Sequence, residues 1–206
     1  LILRQIQAHL EAIYRIEAPD VTRFQIDASQ LAEVTGDALR HADEWVLVRE
    51  SEGVVDLAVF VADEHIQALE AAGGLSASAI EAFPAFCAAI EGVSHFLMLI
   101  ERVRRSEPVK LLELEAQAEV DKFVSARLHH PDHSEAWQRR LFEDARLASG
   151  LDSAEIYRYQ EAGRLAAGFC AALDEAPHVD SILRTLRSFW RDSGAKRLDT
   201  MRRLAA

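Results

Sequence analysis

The sequence predicts an α+β protein, predominantly helical, in which a small N-terminal β-hairpin or three-stranded sheet packs on a multi-helix core. Three observations carry that prediction. Residues 44 to 62, "EWVLVRESEGVVDLAVFVA", hold two runs rich in Val, Leu and Phe around the turn-forming Ser51-Glu52-Gly53, the signature of a hairpin. Apolar residues recur at helical spacing before it and throughout the chain after Gly73-Gly74. Half of the 206 residues are hydrophobic, enough for one substantial core. The chain therefore reads as a single domain, 1–206, with a possible subdivision into a mixed segment, 1–74, and an all-helical segment, 75–206.

Taken in order, "LILRQIQAHLEAIYRI" puts Leu3, Ile6, Leu10, Ile13 and Tyr14 on one stripe of a helix that Pro19 is expected to end. In "RFQID", Phe24 and Ile26 alternate with polar neighbours, as in a short strand. "DASQLAEVTGDALRHA" then reads as a helix capped by Asp27 or Ser29. The hairpin runs are apolar on both faces, which implies cover by helices or by a dimer. A lone two-stranded hairpin would be marginal and needs a helix or a third strand. After Gly73-Gly74, Ser76 or Ser78 can cap the first of five further helices. Breaks are expected near Pro108, at "HHPDHS", at "SGLDS", at Pro177 and at "DSGA". No fixed-length repeat runs through them, against a solenoid. The segment from 79 to 103 is apolar almost all round and is expected to be the most buried helix.

The net charge of −11 disfavours nucleic acid and anionic membranes as partners of the molecule as a whole. The imbalance is uneven. Eleven acidic residues between Asp27 and Glu70 face two arginines, Arg40 and Arg49, whereas seven basic residues lie between His178 and Ala206 against Asp180, Asp192 and Asp199. One end is expected to attract the other, within a chain or between copies. Cys87 and Cys170 both sit in apolar helical patterns, which points to a reducing compartment and a cytoplasmic protein. Glu91 and His95 interrupt the longest apolar run, so no membrane span is expected. No secretory signal stands at the start, although the chain opens with Leu1 rather than Met.

The chemistry is less legible. Glu91, His95 and Arg102 share one narrow stripe, and i,i+4 spacing lets the Glu91 carboxylate reach the His95 ring. Glu115, Glu119 and Lys122 border the apolar arc of the next helix. An antiparallel turn at Pro108 would bring Glu115 or Glu119 to Glu91 and His95. These five residues, Glu91, His95, Arg102, Glu115 and Glu119, form a candidate polar cluster. Its carboxylates and imidazole (Glu91, His95, Glu115, Glu119) are a candidate divalent-metal site. The chain has Glu-x-x-x-His once, without the paired Glu-x-x-His of di-iron bundles or a His-Glu-x-x-His zinc motif. Satisfied ion pairs at the edge of a core are therefore the plainer reading. His129, His130, Asp132 and His133 cluster in what reads as a solvated loop. Tyr157, Tyr159, Glu161 and Arg164 crowd one end of a helix rich in Ala and Gly, marking a candidate pocket or a tight packing face. No Gly-x-Ser-x-Gly elbow or phosphate-binding loop occurs.

The expectation is a protein acting by binding or assembly, as a homodimer or with a protein partner. One alternative is a metal-dependent enzyme with a carboxylate/histidine site between two helices. Another is a regulatory protein whose basic C-terminal tail, "ILRTLRSFWRDSGAKRLDTMRRL", contacts nucleic acid.

Overall fold

Helix α1 (Ile2–Tyr14) forms where the apolar stripe predicts it, with Leu3, Ile6 and Leu10 fully buried. It stops sooner than Pro19 requires, because Arg15 takes a left-handed conformation at φ 55° that ends the α ladder. The buried Gln7 then fixes the loop that follows: its amide donates to the Pro19 carbonyl at 2.9 Å and its oxygen accepts from Val21 N–H at 2.8 Å. In this computed structural model, the described residues are 2–36, 42–52, 54–147, 150–176 and 178–206. Among them are ten α-helices and one two-stranded antiparallel hairpin. Contacts divide the chain into two units, Leu1–Glu11 with Glu17–Glu107, and Ala12–Ile16 with Pro108–Ala206. Gly73-Gly74 is interior to the first.

In the first unit, α2 (Ala28–Thr35) starts at a reciprocal capping box, Asp27 accepting from Gln30 N–H and Gln30 from Asp27 N–H. The expected continuation of this helix falls partly on residues 37–41, outside the described residues. Strands β1 (Glu44–Ser51) and β2 (Val54–Val61) pair in the register Glu44↔Val61 to Ser51↔Val54. Glu52 carries the positive φ, 51°, that a two-residue turn needs; Gly53 lies outside the described residues. The third strand shrinks to one parallel bridge, Gln25↔Val59, made by Ile26 N–H to Val59 O at 2.9 Å and Val59 N–H to Phe24 O at 2.8 Å.

Helices α3 (Asp63–Ala71), α4 (Leu75–Glu81) and α5 (Phe83–Arg105) complete this unit, and the hairpin packs on α5. The continuous helix expected from 79 is broken at Ala82. Pro84 supplies no N–H to continue the α4 ladder, and sits instead in the first turn of α5, where none is needed. From Phe86 to Leu99 nearly every α5 residue is buried, as expected of the central helix. By length and composition alone α5 is apolar enough to cross a membrane, despite Glu91 and His95. Within its apolar window 67% is buried inside the protein, as in the core helix of a folded unit.

The second unit contains α6 (Leu111–His129) and α7 (Ser134–Gln138), the latter running into a π-helical turn at Arg139–Glu143. Helices α8 (Ser153–Asp174), α9 (Val179–Arg191) and α10 (Gly194–Leu204) follow. Seven helices thus follow Gly74 among the described residues, not five, because α4 separates from α5 and short helices are easily missed in a periodic reading. The break expected at Pro177 falls on a residue outside the described ones, whereas the one expected at "SGLDS" is present, with Gly150 to Asp152 non-helical ahead of α8. An Asp152/Glu155 capping box starts α8. Its small residues have a packing role: a Cβ on Gly168 would stand 2.6 Å from the Ala205 Cα, just beyond α10.

Candidate functional site

Strand pairing aims Glu44 at α5. Directly opposed residues of an antiparallel pair share a face, and the partner of Glu44 is Val61, 1% exposed and packed over Gly92 of α5. A Cβ built on Gly92 would stand 3.4 Å from both the Val61 Cγ2 and the Glu44 Oε2. The bare glycine therefore lets the Glu44 carboxylate lie close over the helix, beside the turn that carries Glu91 and His95. One donor atom from each of Glu44, Glu91 and His95 lies within 4.8 Å of the other two. His95 Nδ1 stands 4.0 Å from Glu44 Oε2, and both side chains are mostly shielded, at 10% and 15% exposure. Next to this cluster, the Asp43 carbonyl accepts from Ala62 N–H at 2.9 Å, and the Asp43 carboxylate meets His65 Nε2 at 3.0 Å. These contacts pin the strand ends from which Glu44 projects.

The donor set suits a divalent cation. Two carboxylates offset the ion's charge, and an imidazole favours zinc, manganese or ferrous iron over the all-oxygen sites of calcium and magnesium. Ligand bonds of about 2.1 Å place tetrahedral donors about 3.4 Å apart. The present separations, up to 4.8 Å, are wider than that, so binding an ion would require the two glutamate side chains to rotate inward. Three protein donors leave a coordination position for water or another ligand.

The remaining sequence candidates have other company. Arg102, 2% exposed, forms an ion pair with Glu107 at the end of α5. Glu115 and Glu119 belong to the second unit, where Glu115 pairs with Arg158 at 3.5 Å and Glu119 with Lys122 at 2.7 Å. Glu161 and Arg164 form a two-pronged pair at 2.8 and 2.9 Å, and Arg164 also donates to the Ala205 carbonyl at 2.9 Å. That pairing holds the Glu161 carboxyl below its ordinary range. The Arg158 guanidinium lies 5.1 Å over the Tyr159 ring, and Tyr157 is 67% exposed. In the histidine segment, the rings of His130 and His133 stand 6.0 and 6.4 Å from the buried Trp137. His129 is half-buried, and that burial, followed by the proximity of His130, lowers its pKa. No disulfide joins Cys87 and Cys170.

A buried network absent from the sequence reading occupies the second unit. Glu113, Gln117 and Asp121 form an i, i+4, i+8 stripe on α6, each at most 3% exposed. The Tyr14 hydroxyl donates to Asp121, and the Gln117 amide donates to both at 2.8 Å. Arg197 of α10 donates to the Gln117 oxygen and pairs with Glu113 at 3.5 Å. Its guanidinium lies 5.0 and 5.4 Å from the Phe189 and Trp190 ring centres. A Cβ on Gly194 would overlap the Glu113 carboxylate. The four-residue spacing was visible in the sequence, but Tyr14 and Arg197 come from opposite ends of the chain.

Much of the basic tail is engaged inside its own unit. Arg187 donates to the carbonyls of Ile13 and Ala12 at 2.8 and 3.2 Å, closing the C-terminal end of α1. Lys196 pairs with Asp192 at 2.6 Å and Arg202 with Asp199 at 3.0 Å. Comparison with family models, curated proteins and solved structures finds no match to this chain.

Proposed function

We propose that this protein acts by binding, and that its ligand is a divalent transition-metal ion held by Glu44, Glu91 and His95. The supporting observation is the convergence of three donor atoms within 4.8 Å of one another on a hairpin and a helix of one unit. The sequence reading joined Glu91 and His95 to Glu115 and Glu119; in the present reading Glu91 and His95 stay and the two later glutamates do not take part. The third donor comes from β1, not from the helix after Pro108. A water on the remaining position would be polarised by the ion, giving the same residues a route to hydrolytic chemistry. Binding is the part of this reading that the geometry supports most directly.

The test is calorimetric titration of metal-free, tag-free protein with Zn²⁺ and Mn²⁺, with elemental analysis after dialysis. One ion per chain is expected, with affinity falling at least about tenfold in Glu91→Gln and His95→Ala, since each removes a direct ligand. Equal binding by wild type and both variants, or no binding at all, defeats the reading.

A further inference from the structure

The ligands of this site come from two elements of unequal stability. Glu91 and His95 sit one turn apart on the most buried helix of the first unit, where residues from Phe86 to Leu99 are nearly all enclosed. Glu44 is the first residue of a hairpin whose distal half is open, Val48 and Val54 being 52% and 61% exposed. Among the described residues that hairpin has two strands and one bridge to Gln25. A ribbon of that size is marginal without the surface beneath it, so it is the element of this unit most prone to open locally.

We infer that the ion at Glu44, Glu91 and His95 is a latch that fastens the root of the hairpin to α5, so that metal occupancy sets how firmly the hairpin is docked. This rests on the cation-binding reading above. Only the docked hairpin offers all three donors together. An ion that prefers the three-donor site stabilises docking by mass action, and the opening population falls in proportion to its excess over the dissociation constant. The coupling is reciprocal: any change that loosens the hairpin weakens ion binding by the factor with which the ion tightens the hairpin. Val61→Ala is such a change, because it thins the contact over Gly92 without altering a donor.

Hydrogen exchange on the full chain tests the latch, with Zn²⁺ as the probe and calorimetry on the same samples. At a hundredfold excess over its dissociation constant, Zn²⁺ should slow exchange of the β1 and β2 amides by up to about a hundredfold. Amides of α8 in the second unit serve as the unaffected reference. In Glu44→Gln, residual Zn²⁺ binding through Glu91 and His95 should leave hairpin exchange unchanged, and Val61→Ala should bind Zn²⁺ more weakly than wild type. Zn²⁺ bound in calorimetry with wild-type hairpin exchange unmoved overturns the latch while sparing the binding site. Absence of Zn²⁺ binding overturns both.

Discussion

Arg197 shows what a single buried charge demands. Its guanidinium is 2% exposed, and the protein meets it with Glu113, the Gln117 oxygen and the faces of two aromatic rings. Removing one partner of such a pair leaves the other desolvated, so Arg197→Ala should destabilise the fold by about 3 to 5 kcal/mol. Arg197→Met paired with Glu113→Leu should recover most of that loss, since an apolar replacement of similar volume leaves no orphan charge. Denaturant melts of the two proteins check both outcomes. Tyr14 supplies a test with a sign. Burial first, and then the adjacent Asp121, push its phenol well above the ordinary value of 10.0. A pKa raised in the folded state contributes stability that is complete below the unfolded value and is lost as pH rises beyond it. Stability should therefore begin to fall above pH 10, and one phenol should ionise only as the chain unfolds. Ultraviolet titration should show this delayed step in wild type and lose it in Tyr14→Phe.

At the scale of elements, legibility followed the range of the deciding interactions. Local periodicity located α1, the hairpin and the buried α5, because an apolar stripe and a turn are read within a few residues. The break at Ala82 was missed although Pro84 marks it, since both flanking segments carry apolar residues in compatible phase. Two of the three donors of the candidate cation site were legible through the i,i+4 spacing of Glu91 and His95. Glu44 was not, because its direction depends on strand register and on the packing of Val61 over Gly92, neither of which has a local signal. The α6 stripe was overlooked for a related reason: α6 is buried nearly all round, so its polar residues do not mark a solvent face. Packing in α5 is open to a direct check. Leu97 is 1% exposed, and Leu97→Ala should cost about 2 to 5 kcal/mol, as for a close-packed core leucine. A loss below about 1 kcal/mol in a denaturant melt would place the residue at a periphery.

At the scale of the whole molecule, the hairpin poses a question of assembly. Among the described residues β1 pairs only with β2, whereas the other side of β2 takes the Gln25 bridge. The outer edge of β1 therefore presents hydrogen-bonding groups to its surroundings, and Trp45, Val48 and Val54 leave apolar surface on the same small sheet, at 38%, 52% and 61% exposure. Edges of this kind invite a further strand, and a second copy supplies one with two-fold symmetry. We expect a homodimer built on the hairpin. Two forms of the contact separate by salt. An interface joining the acidic hairpin region to the arginine-rich segment of another copy weakens as ionic strength rises, whereas an apolar, strand-paired one persists or tightens. Because the Arg187, Lys196, Arg197 and Arg202 side chains already have partners within their own unit, the salt-resistant form is the expected one. Sedimentation at low and high salt should then show a dimer whose dissociation constant does not rise with salt, and Val48→Asp should shift it toward monomer. A monomer at every concentration and every ionic strength removes the dimer.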